Sequence, residues 1–131
     1  MRSPYQVLVL DDEEVVCERL KSHLEKKGFE VETFTVSQAA IDRMADKRFD
    51  VVITDLKMEG PTGLDVLHFV RRERPGTQVI VITGYGSIES IREAEYGGAF
   101  EFINKPFTSK AMETLALKAA KKARRQEVEE D

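Results

Sequence analysis

An α/β fold, a doubly wound five-stranded parallel sheet with five helices in three layers, is predicted by three observations. Short runs rich in Val, Ile and Phe alternate with amphipathic stretches five times along 131 residues. Three of those runs are nearly unbroken in hydrophobicity, as strands covered on both faces are. Successive β-α units cross over with a right hand, which lays helices on both faces of one sheet.

The first strand is "QVLVL" (6–10). A helix over 13–27 follows, with Val16, Leu20 and Leu24 at four-residue spacing and Gly28 as its stop. "VETF" (31–34) is the second strand, and its alternation suits a position nearer an edge. Ser37 is the expected N-cap of a helix over 37–46 carrying Ala40, Ile41 and Met44. "DVVIT" (50–54) is the third strand. Leu64, Leu67 and Val70 mark a helix over 63–74, which "RPG" ends. "QVIVIT" (78–83) is the fourth strand, and a helix over 87–96 starts at Ser87 with Ile88 and Ile91. "FEFIN" (100–104) is the fifth strand, again alternating. The last helix, 108–125, starts near Thr108 and carries Met112, Leu115, Ala116 and Ala119. The common five-stranded order, 2-1-3-4-5, reverses between the first and third strands, and ligands bind at the carboxyl ends there.

Composition sets the outer bounds. Hydrophobic residues make up 41% and charged residues 34%, an ordinary globular balance for one domain. A net charge of −4 argues against broad binding to nucleic acid or to an acidic membrane. One cysteine, Cys17, excludes an internal disulfide and a cysteine metal cluster and fits a small core residue. No apolar run has the length of a membrane span, and "MRSPYQ" lacks a signal-type apolar region, so the expected location is cytoplasmic. The final "KAAKKARRQEVEED" passes from five basic to four acidic residues, which reads as a helix end and, over 123–131, a solvated tail.

Chemistry gathers where the switch-point rule points. The first strand runs straight into Asp11, Asp12, Glu13 and Glu14. Asp55 follows the third strand, Thr83 ends the fourth, and Lys105 follows the fifth, before Pro106. Carboxylates crowded together resist ionising, so either they stand in water and mean little or a positive partner belongs among them. Three oxygen-rich carboxylates without Cys or His suit a hard cation, Mg²⁺ above all. Lys105 supplies a second positive charge. A carboxylate beside such charges can attack phosphorus and form an acyl phosphate, with Thr83 placed to donate its hydroxyl to a phosphoryl oxygen. Each residue also has a bland reading: Asp11 and Asp12 can cap the following helix, and Glu13, which could serve as a further acidic ligand, better suits an exposed first-turn position. His23 and His68 read as ordinary helix residues.

The set Asp11-Asp12, Asp55, Thr83 and "NKPF" (104–107) closely resembles the receiver domain of two-component response regulators. The resemblance covers roughly residues 5–122, and "TGYGSIES" and "GGAFEFINKPF" look most like receivers of nitrogen-regulator-type transcription activators. It implies that Asp55 accepts a phosphoryl group from a sensor histidine kinase or phosphotransfer protein. It implies that Asp12, Asp55 and the backbone carbonyl of Lys57 hold Mg²⁺, with Asp11 reaching it through water. It further implies that Thr83 and Lys105 contact the phosphoryl group, that the Lys105–Pro106 peptide is cis, and that Thr83 and Phe102 form a switch. Lys57 and Tyr85 occupy positions that tune dephosphorylation in the family, and a bulky Tyr85 favours a phosphorylated state lasting longer than seconds. Glu59 stands where the family often has proline, so the loop after Asp55 should be reshaped. The expected partners are the kinase and a downstream protein or output domain, without direct nucleic-acid contact.

Two other readings share this sheet. A flavin-binding electron carrier would need a Ser/Thr/Gly-rich phosphate loop after the first strand, where this chain has "DDEEV". An aspartyl-phosphate phosphohydrolase would carry a second aspartate two residues after Asp55, where this chain has Lys57. Leu117 points away from the apolar face of the last helix. It is either a scattered exposed leucine or part of the surface of helix four, strand five and helix five, through which receivers of this family dimerise or bind targets.

Overall fold

The computed structural model describes residues 3–84 and 88–130, with side chains to residue 126. Ten elements alternate as predicted: β1 (Gln6–Leu10), α1 (Glu14–Lys26), β2 (Glu30–Phe34), α2 (Ser37–Asp46), β3 (Val51–Asp55), α3 (Gly63–Glu73), β4 (Gln78–Thr83), α4 (Ile88–Tyr96), β5 (Glu101–Asn104) and α5 (Ser109–Glu130). The strands form one parallel sheet in the order β2-β1-β3-β4-β5. Register brings Val7 beside Val51, Val51 beside Gln78 and Thr83 beside Asn104. The central strands β3 and β4 are buried throughout, whereas edge strands β2 and β5 are partly exposed.

Alternate strand residues face opposite sides, so the sheet carries two cores. Val7, Val9, Ile53, Ile80 and Ile82 pack under α1 and α5, through Leu20, Leu24, Met112, Ala116 and Ala119. Leu8, Leu10, Val52, Val79 and Val81 pack against the other helices, through Ala40, Met44, Val66, Leu67 and Ala94. Each large aliphatic side chain buried this way contributes about 1.5–3 kcal/mol. Cys17 is buried in the first core, in keeping with its reading as a small core residue. No helix of the described residues is long and apolar enough to cross a membrane.

Helix ends depart from the sequence reading in three places. Ser37 is the first helical residue of α2 rather than its N-cap, which is Val36. The Ser37 hydroxyl instead donates to the Glu59 carbonyl at 3.1 Å, tying α2 to the loop after β3. Neither Asp11 nor Asp12 is the N-cap of α1; that position is Glu13. The last helix does not give way to a tail at 123 but continues to Glu130. Ala119, Ala120 and Ala123 extend its buried stripe, and Arg124 anchors it. The Arg124 guanidinium grips Asp50 at 2.8 and 3.0 Å and also donates to the carbonyls of Ser3 and Pro4. Gly28 does stop α1, in the left-handed region at φ 93°. Thr108 caps α5 by accepting the Ala111 N–H at 3.0 Å. The expected start of α4 at Ser87 lies outside the described residues.

Candidate functional site

Parallel strands point all their carboxyl ends to one rim, and four of the five deliver a polar group there. Asp11 follows β1 and is fully buried, while Asp12 beside it is exposed. Asp55 ends β3 and is 8% exposed, within reach of a partner. Oxygen atoms of Asp11, Asp12 and Asp55 all lie within 4.8 Å of one another. Thr83 ends β4, and Lys105 follows β5 across a cis peptide to Pro106. A cavity of about 650 Å³ opens over this rim, lined by Asp12, Glu13, Asp55, Lys57 and Lys105.

Electrostatics dominate the cavity. The Lys105 ammonium lies 2.8 Å from Glu13 Oε1 and 3.1 Å from Asp55 Oδ2, donating to both. It is also 3.1 Å from Asp11 Oδ2. That last pair lacks hydrogen-bond alignment, so Asp11 Oδ2 is a buried oxygen with no hydrogen-bond partner. Burial pushes the Asp11 carboxyl above its usual range, against the pull of the Glu13 N–H and of Lys105. Burial works against the charge on Lys105, but Glu13, Asp11 and Asp55 together outweigh it and hold the ammonium on. Glu13 is drawn below the usual carboxylate range by its hydrogen bond from Lys105.

These donors fit a hard divalent cation. Three carboxylates converge, one of them presents a buried oxygen that accepts no hydrogen bond, and the donor set is all oxygen. Asp11 Oδ1 accepts the Glu13 N–H at 2.8 Å, and Asp55 Oδ1 accepts the Lys57 N–H at 3.2 Å. One oxygen of Asp11 and one of Asp55 are thus oriented by backbone, as preorganised ligands are.

The predicted residues divide in the structure. Asp11, Asp12, Asp55 and Lys105 come together; Lys57 stands exposed on the cavity wall. Thr83 sits at the same rim, but its hydroxyl donates to Asn104 Oδ1 at 2.6 Å. Phe102 is partly buried against the second core. Tyr85 lies outside the described residues. Leu117 is exposed and lines a surface hollow together with Tyr5, Lys27, Gly28, Phe29 and Arg124. It therefore faces the corner between α1 and β2, not the surface of α4, β5 and α5, because α5 packs that side against α1. His23 is not a solitary helix residue: its Nε2 lies 2.8 Å from Glu113 Oε1 and joins α1 to α5.

Three contributors escaped the sequence reading. Glu13, read as an exposed first-turn glutamate, carries the shortest contact to Lys105. Asn104 holds the Thr83 hydroxyl, and only the register of β4 with β5 places the two side by side. Gly63 opens α3 directly against the acceptor strand; a Cβ there would overlap the Asp55 carbonyl oxygen and lie 2.8 Å from Leu56 Cα. The Thr62–Asp65 capping box that fixes this turn was legible as "TGLD".

Comparison with known proteins gives the same picture. Residues 7–117 match the family model of the response regulator receiver domain. The nitrogen assimilation regulatory protein NtrX of Azorhizobium caulinodans is 32% identical over 124 residues, covering 87% of this chain and 27% of that protein. The photosynthetic apparatus regulatory protein RegA of Rhodovulum sulfidophilum is 34% identical over 100 residues, covering 76% of this chain and 55% of that protein. A solved response regulator receiver domain from Clostridium thermocellum shares 32% identity and a TM-score of 0.84, over 95% of this chain and 98% of that one. The chain spans about a quarter to a half of the length of these curated relatives. With sheet order, strand-end chemistry and family match in agreement, the chain belongs to the response regulator receiver domain family.

Proposed function

We propose that Asp55 accepts a phosphoryl group and that its phosphorylation throws a two-state switch. The observation that carries this reading is the contact of Lys105 Nζ with Asp55 Oδ2 at 3.1 Å, beside Asp11 and Asp12 in an open cavity. The carboxylate is oriented by the Lys57 N–H and by Lys105, and it lines the cavity through which a donor would approach.

In the transfer step an Asp55 oxygen bonds to phosphorus while the bond from phosphorus to the donor's histidine nitrogen breaks. The imidazole leaves with that electron pair. Lys105 turns its N–H groups from the carboxylates to the transferred oxygens and neutralises their charge. Asp12, Asp55 and the Lys57 carbonyl would hold Mg²⁺, with Asp11 supporting it through water, and the ion supplies positive charge to the same oxygens. The Thr83 hydroxyl leaves Asn104 to donate to the phosphoryl group. Phe102 follows that movement, and the population shifts towards the active form. The domain assists this chemistry on itself without turnover on a separate substrate.

The proposed donor is a sensor histidine kinase or phosphotransfer protein, and the proposed recipient of the signal is a downstream protein or output domain. Lys57, at the cavity wall, and Tyr85 are proposed to set the rate of phosphate loss. Persistence of the phosphorylated form beyond seconds, followed by intact mass, tests that reading, and loss within seconds overturns it. The acceptor itself is tested by intact mass after incubation with acetyl phosphate and Mg²⁺. The expected result is a gain of one phosphoryl group that chelation and Asp55→Asn both abolish. A gain that persists in Asp55→Asn would move the acceptor elsewhere.

A further inference from the structure

We infer that Glu13 gates Lys105: its carboxylate holds the ammonium at the cavity mouth, and that contact must break before the lysine can serve an incoming phosphoryl group. This inference rests on Asp55 as the phosphoacceptor. Among the described residues Lys105 pairs with Asp11, Glu13 and Asp55, and the 2.8 Å contact to Glu13 is the shortest of the three. Yet Glu13 is the partner that the transfer chemistry does not require. Its backbone is fixed, because its N–H donates to Asp11 Oδ1 at 2.8 Å and its carbonyl accepts from Val16 and Cys17 at the start of α1. Its side chain is 61% exposed, against 12% for Asp55. A fixed base thus carries a solvated carboxylate into the path of any donor.

An ammonium has three N–H groups. Two are committed in the resting site, to Glu13 and Asp55, and the ammonium also lies 3.1 Å from Asp11 Oδ2, so carboxylates crowd it on every N–H. Phosphoryl oxygens compete for the same donors, so entry trades the Glu13 contact for a phosphoryl contact. Glu13 also sets negative potential across the mouth and opposes a dianionic donor. A pair this exposed breaks at small cost, so Glu13 slows transfer without preventing it.

The test uses acetyl phosphate with Mg²⁺, in which an Asp55 oxygen bonds to phosphorus as the bond to the acetate oxygen breaks and acetate leaves with the electron pair. Glu13→Met removes charge and contact together. Glu13→Asp keeps the charge but is one methylene short of Lys105. Glu14→Met removes a neighbouring charge that does not touch the lysine. The expected result is phosphorylation about fivefold faster in both Glu13 variants, near the upper worth of an exposed pair, with Glu14→Met unchanged. A Glu13→Asp rate equal to wild type overturns the gate and leaves only a general field at the mouth. Equal rates in all four proteins overturn it outright. A second readout needs no phosphorylation: the ¹⁵Nζ signal of Lys105 in the metal-free protein should move in both Glu13 variants and stay in Glu14→Met. An unmoved signal overturns the gate even where Asp55 is phosphorylated. A wild type that takes no phosphoryl group, with the signal still moving, overturns the acceptor reading and the gate's role in transfer, while leaving the resting contact intact.

Discussion

At the scale of single residues, Lys105 holds the site together before any phosphate arrives. It is the cation among Asp11, Glu13 and Asp55, and without it two largely buried carboxylates face each other. Lys105→Met should lower stability in chelator by about 2 kcal/mol, since removing one partner of a buried pair strands the other. Mg²⁺ should restore more thermal stability to this variant than it adds to wild type, as thermal melts with and without the ion will show. A variant that Mg²⁺ stabilises no more than wild type would mean the carboxylates do not share a cation. Thr83 invites a second test. Asn104→Ala removes the acceptor of its hydroxyl bond, and the freed hydroxyl should shift the resting population towards the phosphorylated form's spectrum, seen in amide chemical shifts. The acidic and basic strand ends were legible because strand ends in a parallel sheet must share one rim. Glu13 and Asn104 were not, because each acquires its role from a residue more than twenty positions away in sequence.

At the scale of elements, α3 comes closest to the backbone of the acceptor strand at Gly63. Gly63→Ala would drive a methyl group into the backbone of Asp55 and Leu56. It should cost more than about 2 kcal/mol and slow phosphorylation, because backbone cannot yield as a flexible side chain does. Thr62→Ala, one residue earlier, breaks only the capping box. It should cost about 1 kcal/mol and leave the phosphorylation rate alone. Denaturant melts beside phosphorylation rates separate the two. The β-α periodicity was readable from hydrophobic spacing alone, whereas cap identity was readable at Thr108 but not at Ser37, which has a cap's chemistry but donates its hydroxyl to the Glu59 carbonyl. Likewise the charges after residue 120 read as solvated until Ala123 and Arg124 are seen against the sheet.

Taken whole, the molecule separates a chemical rim from an anchoring rim. At the second, Arg124 and Asp50 form a pair whose side chains are 14% and 7% exposed, at the opposite end of β3 from Asp55. Arg124→Ala should cost about 3 kcal/mol by leaving the buried Asp50 without its cation, with only the Gln6 N–H still donating to it. Five residue steps, roughly 16 Å, separate it from the acceptor. Phosphorylation by acetyl phosphate at low temperature should therefore stay near the wild-type rate. One acid-sensitive contribution lies elsewhere. The Arg43 hydrogen bond, with Lys47 beside it, pulls the Glu32 carboxyl down from 4.5 to about 2. A depressed carboxylate stabilises the fold above its unfolded value and loses that contribution as pH falls towards its folded one. Glu32→Gln should flatten the fall in stability between about pH 5 and pH 2, by about 1 kcal/mol after allowance for solvent screening. An unchanged slope in acid melts would remove Glu32 as its source.

The Arg124 grip has a consequence for how the chain can be cut. Its guanidinium touches the carbonyls of Ser3 and Pro4, so the first described residues and the late turns of α5 are already side by side. A short linker could join them, and new ends could open between α2 and β3, around Lys47 and Arg48. Such a circular permutant would begin with the strand that bears Asp55 and would meet no rearranged core contact. If it folds and still takes one phosphoryl group, the order in which this sheet is synthesised is incidental to the switch it carries.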